Sequence, residues 1–169
     1  MLDRLGTNPT QLIGVLSFAL TTIACQLATR RSSGARTWKV LALLNALFLV
    51  EIIVGFRFRV LGWARTLLQE EGRYSQLHGE DQAVVIIALV AAAVILVLLV
   101  LLLPRISGPA ARVGISLTVL LLALFAVETV SLHEVDAIFY RRIGPVLLVG
   151  WLWAIAAAGI CMAAVSSRR

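Results

Sequence analysis

Residues 83–103 are an unbroken run of alanine, valine, isoleucine and leucine, with no glycine, proline or polar side chain, and Pro104 follows directly. Coiled as a helix, such a run is about 30 Å long, the thickness of a bilayer's hydrocarbon core. A helix that is apolar on every face needs apolar surroundings on every side, which a small water-soluble fold cannot supply. Residues 10–29, 38–56, 113–133 and 143–165 form four further apolar stretches of similar length. The chain is 60% hydrophobic and 14% charged, with a mean hydropathy of +0.96, so no stretch remains that would bury a separate soluble core.

The sequence predicts an all-α integral membrane protein, a single transmembrane domain over residues 1–169 built as a bundle of five transmembrane helices. Barrel strands are about ten residues long and alternate in polarity, which these segments do not. Breaks are well marked at Arg30 to Gly34, at Ser107, Gly108 and Pro109, and at Gly144 with Pro145, which is expected to open the fifth helix. In residues 57–82, Val60, Leu61, Ala64, Leu67 and Leu68 recur at helical spacing, beside Trp63 and Tyr74. That pattern predicts a short amphipathic helix on the membrane surface after the second span. Five spans do not divide into equal halves, and no internal repeat is visible.

Loop charges give an orientation. With the N-terminus outside and the C-terminus cytoplasmic, the inner loops hold Arg30, Arg31, Arg36, Lys39, Arg105, Arg112 and the two terminal arginines, without an acidic residue. The outer side holds nearly all the carboxylates. Fourteen arginines against one lysine, with heavy use of alanine, leucine and valine, point to a GC-rich bacterial genome and so to a bacterial cytoplasmic (inner) membrane. The formal charge of +6 suits anionic lipid headgroups, and no basic stripe with interleaved aromatics argues for nucleic acid. The start, Met1, Leu2, Asp3 and Arg4, lacks the net positive charge of a signal peptide, so the first helix is expected to be retained. Cys25 and Cys161 both fall in apolar segments without metal-ligand spacing and read as packing residues.

Small residues mark where helices meet. Gly14, Ser17, Thr21, Cys25 and Ala28 share one face of the first span, and Gly150, Ala154 and Ala158 recur every fourth residue in the fifth. In the second span Asn45 is expected to hydrogen-bond across to another helix. It sits about 240° around from Glu51, so the two address different neighbours.

Glu51 is the costlier residue, since a carboxylate within a span must be protonated, partnered or facing water. Glu128 in the fourth span lies at a matching depth, about five residues in from the same surface, so the two can meet. Two carboxylates in one water-poor pocket repel, unless one carries a proton or a cation bridges them. Arg59 is a candidate partner for Glu51 if the second helix continues, with Arg141 and Arg142 as alternatives. Farther on, Thr129, His133, Asp136 and Tyr140 follow helical spacing and form a possible interfacial polar site. No third ligand accompanies His133 and Asp136, so no metal is expected. His78 and His133 are the only histidines and neither is deep in a span, which argues against haem, and no cofactor is expected.

No nucleotide loop, zinc-protease helix or serine elbow is present. The leading expectation is a noncatalytic accessory or scaffold subunit of a bacterial membrane complex, with the bilayer and a membrane protein or a second copy as partners. A small proton- or cation-coupled carrier or channel using Glu51 and Glu128 is the alternative. A third is an interfacial membrane enzyme using Glu128, His133 and Asp136.

Overall fold

The structure is a computed structural model that describes residues 8–31, 34–56, 59, 87–88, 90–98, 108–130 and 137–167 of the chain. Among them it is an all-α membrane protein with four helices long and apolar enough to cross a bilayer. These are α1 (Pro9–Thr29), α2 (Ala35–Val54), α3 (Pro109–Val130) and α4 (Leu148–Ser166). A minimal hairpin, β1 (Arg142–Ile143) and β2 (Val146–Leu147), precedes α4. Residues 87–88 and 90–98 are also helical and largely exposed, as a lipid-facing segment is. The remainder of the predicted third span, and all of the predicted surface helix except Arg59, lie outside the described residues.

Local chemistry sets the helix ends. Asn8 caps α1, its Oδ1 accepting from the Thr10 N–H at 3.0 Å, with Pro9 in the first turn where its missing N–H costs nothing. Gly55 ends α2 in the left-handed region at φ 63°, returning its N–H to the Glu51 carbonyl at 2.7 Å. The second helix therefore stops before Phe56, where the sequence expectation had extended it. The larger correction is at the fifth predicted span. Gly144, at φ 68°, and Pro145 form the hairpin turn instead of opening a helix at Ile143. α4 begins only at Leu148, whose N–H donates to the Arg141 carbonyl at 2.9 Å.

Helix directions follow from which residues meet. Gln11 and Phe18 of α1 face Ile52 and Phe48 of α2, so these two run antiparallel. Thr10, Gly14 and Thr21 meet Leu147, Trp153 and Ala157, so α1 and α4 run parallel. Trp38 lies against Gly114 and Phe48 against Phe125, so α2 and α3 are also parallel. Glu51 and Glu128 thus share one end of the bundle, the carboxylate end. Arg30, Arg31, Arg36, Lys39 and Arg112 collect toward the other, the basic end.

One aromatic ring from each helix fills the middle. Phe48 stacks on Phe125 at 4.9 Å and Phe125 on Trp153 at 5.6 Å, both within 5° of parallel, and Phe18 tilts against all three. Four threonine hydroxyls in the spans are satisfied within their own helices, whereas the buried Ser116 hydroxyl of α3 has no partner among the described residues. Thr21, Thr22, Thr118 and Thr129 each donate to the carbonyl four residues earlier, at 2.7 to 2.9 Å, so they stay in an apolar bundle at little cost.

Candidate functional site

At the carboxylate end a cavity of about 340 Å³ opens between the α1 N-terminus, the α2 C-terminus, α3 and the start of α4. Glu51 and Glu128 both line it. Glu128 is buried, at 3% exposure, and Glu51 is half-buried one turn from the end of α2. The α2 backbone also contributes, because the carbonyl end of a helix carries partial negative charge and residues 51–55 form part of the wall.

The N-terminal turn of α1 braces the opposite wall. Thr10 Oγ1 accepts from the Leu147 N–H at 3.0 Å, tying α1 to the hairpin, and Gln11 Nε2 donates to the Ile52 carbonyl at 3.0 Å, tying α1 to α2. These bonds hold three chain segments at the cavity mouth. The wall nearest the bundle centre includes Trp153, 5% exposed, whose indole N–H finds no acceptor among the described residues. Its benzo edge lies where a side chain on Gly14 would fall, 3.1 Å from the Cβ position, so a glycine at 14 admits the ring.

The other sequence candidates are dispersed. Asn45 is fully buried, but its Nδ2 donates back to the Leu41 carbonyl of its own helix at 2.8 Å, and its Oδ1 has no partner among the described residues. It does not line the cavity, as its angular offset from Glu51 required. Arg59 is exposed and also absent from the lining, because Gly55 breaks the helix that would have carried it round to Glu51. Of the interfacial set, Tyr140 lines the cavity. Thr129 lines a neighbouring one of about 440 Å³, and His133 and Asp136 lie outside the described residues.

The small-residue stripes differ between helices. Gly14, Thr21, Cys25 and Ala28 are buried and Ser17 is half-buried. Thr21 Oγ1 also reaches the Ala157 carbonyl at 3.4 Å, and Cys161 Sγ donates to Thr21 Oγ1 at 3.6 Å. On α4 Gly150 is buried, Ala154 is half-buried and Ala158 is exposed. A strict four-residue repeat drifts by about 40° per step, so Ala158 has rotated off the contact face, which runs through Val149, Trp153, Ala157, Ile160 and Ala164.

Sequence reasoning missed Thr10, Gln11 and Trp153. The signal for the first two was present, since Asn8, Pro9, Thr10 and Gln11 combine a cap, a first-turn proline and two polar side chains at a helix mouth. Nothing in the local pattern distinguished Trp153 from any other aromatic in a span. Comparison of the chain with protein-family models, with curated proteins and with solved structures gives no match.

Proposed function

We propose that this chain is a noncatalytic membrane protein that binds a proton or cation at its carboxylate end, in the cavity between Glu51 and Glu128. The observation that carries this reading is that two carboxylates from different helices line one cavity, beside the negative end of α2. Two carboxylates in one water-poor cavity repel each other, and a proton or a cation bound between them relieves that repulsion. The stacked rings next to the cavity favour binding over conduction, because they fill the path along the bundle axis. A role as a subunit of a larger complex is favoured by the α2–α3 junction, where two cavities of about 350 and 440 Å³ leave a surface uncovered by the described residues.

The same proposal has the chain crossing the membrane five times with its N-terminus outside. Support comes from the parallel α2 and α3: a chain that leaves α2 at one surface and enters α3 at the other has to return in between. Residues 83–103 have the length for that return. Gathering of arginines at the basic end supports a cytoplasmic location for it.

The test is thermal unfolding of the detergent-solubilised protein across pH and with added sodium, calcium or ammonium salts. The parent is expected to be stabilised by a cation or by acid, and Glu51→Gln and Glu128→Gln are expected to keep their stability while losing that response. A sharp fall in both variants under every condition, on the order of 3 to 5 kcal/mol, would instead identify a structural ion-pair network. Variants that respond as the parent does would end the cation reading.

A further inference from the structure

At the basic end a second cavity, of about 350 Å³, runs between α2 and α3 from Arg36 and Thr37 to Leu44 and Leu122. We infer that it holds one anionic phospholipid, with the phosphate at Arg36 and an acyl chain lying between the two helices. The site is separate from the carboxylate cavity and does not rest on the cation reading.

The chemistry of the cavity changes along its length in the order that an amphiphile needs. Arg36 is exposed and is the second residue of α2. Leu44 lies eight residues farther on, about 12 Å, which falls within the roughly 15 Å of hydrocarbon in one leaflet. Leu41 and Thr118 are buried walls, and the Thr118 hydroxyl is already met by the Gly114 carbonyl at 2.9 Å, so it asks nothing of a hydrocarbon neighbour. Val40 and Leu122 also line the cavity and are 51% and 44% exposed, which leaves it open from the side among the described residues. One turn beyond Leu44 and Leu122, Phe48 and Phe125 stack at 4.9 Å and bring the two helices together. A partner helix would need a groove that continues along the bundle. A single acyl chain needs only the depth of one leaflet, which is what lies on this side of the rings.

Charge selects the head of the lipid. Both described carboxylates lie at the other end, and Glu51 is about 22 Å along α2 from Arg36. The first turns of α2 and α3 contain no acidic residue, and because these helices are parallel their positive ends face the same surface. Lys39, also exposed, follows Arg36 by one turn. Arginine binds phosphate oxygens through paired N–H bonds, and basic pockets between membrane helices suit anionic headgroups. A zwitterionic lipid brings the same chain and phosphate, but its own cation competes with Arg36.

The experiment is native mass spectrometry of the full chain in detergent with dioleoylphosphatidylglycerol and dioleoylphosphatidylcholine. One molecule of the anionic lipid is expected to stay bound per chain, at least tenfold tighter than the zwitterionic one. Arg36→Gln should abolish that preference and, being at the surface, should unfold as the parent does without lipid. Val40→Trp, which fills the cavity from its rim, should weaken both lipids at least tenfold. Arg31→Gln, exposed at the same end but outside the cavity, should leave binding within twofold. Equal binding of the two lipids by the parent would overturn the inference. So would a loss in Arg31→Gln as large as in Arg36→Gln, which would show diffuse attraction to the basic surface, or binding that ignores Val40→Trp. Displacement of the lipid by glycerol 3-phosphate would show a site for the free phosphate alone and would also overturn it. A lipid-free dimer would give the cavity to a second copy, and a lipid-free monomer would give it to residues 83–103 of the chain itself; either result ends the lipid reading.

Discussion

α1 with α4 and α2 with α3 are both parallel helix pairs, yet among the described residues one is sealed and the other is open. Along α1 and α4 the contact is closed by small groups: Gly14 against Trp153, Thr21 against Ala157, and Gly150, where an added Cβ would come within 2.8 Å of Thr10 Cγ2. Along α2 and α3 the close approaches are Gly114 beneath Trp38 and the Phe48–Phe125 stack, and cavities lie to either side of the stack. Parallel direction alone does not decide how tightly two helices pack. Residue size at each turn does. The open pair holds both carboxylates, and Glu51 lines two of the cavities, so packing has been given up where the polar groups are.

Four measurements would break or sharpen this contrast. Phe125→Ala removes the ring common to both halves of the stack, and unfolding in detergent should show a loss of about 3 to 5 kcal/mol. Loss under about 1 kcal/mol would mean that the rings are not what joins the sealed pair to the open one. Gly150→Leu should cost about 1 to 3 kcal/mol through overpacking against Thr10 and Val146. Thr10→Val keeps the shape but takes the acceptor from the Leu147 N–H, at about 1 to 2 kcal/mol, and hydrogen exchange at Leu147 should quicken. The smallest effect is expected from Ala126→Leu at the open pair, where the cavity has room, with a change within about 0.5 kcal/mol. If this last substitution costs as much as Gly150→Leu, the open junction is not open in the bilayer. Direction can be checked separately in a cysteine-free background. Arg31→Cys and Gly108→Cys should label from one side of the membrane and Ile143→Cys from the other; labelling of Arg31→Cys and Gly108→Cys from opposite sides would contradict the parallel α2 and α3.

The transmembrane character was legible because hydropathy over twenty residues is a strong signal with few competing explanations. So was the placing of Glu51 and Glu128 toward one end of the bundle, where both line one cavity, since counting residues along a helix needs only the helical rise. Other features depended on partners that one segment does not reveal. Gly144 and Pro145 suit a helix start and a hairpin turn equally. What chose the turn was the contact between Leu147 and Thr10, residues 137 positions apart in the chain. Gly55 falls inside the predicted second span and ends the helix there, a choice set by backbone conformation that composition does not encode. The ring stack was hidden for the same reason, since four aromatics spread from position 18 to position 153 give no sign of meeting.

That stack has an electrical consequence. A membrane voltage falls across whatever low-dielectric material separates the two aqueous phases, and each charge crossing 100 mV changes energy by about 2.3 kcal/mol. Phe18, Phe48, Phe125 and Trp153 meet between the cavity and the basic end, with ring centroids 4.9 to 6.3 Å apart. On the proposed reading, most of the field would drop on the basic side of these packed rings, and a cation held beside Glu51 and Glu128 would cross only a shallow part of it. Occupancy of the cavity should follow the concentration of the cation in the adjoining solution and stay nearly indifferent to the resting potential of the cell.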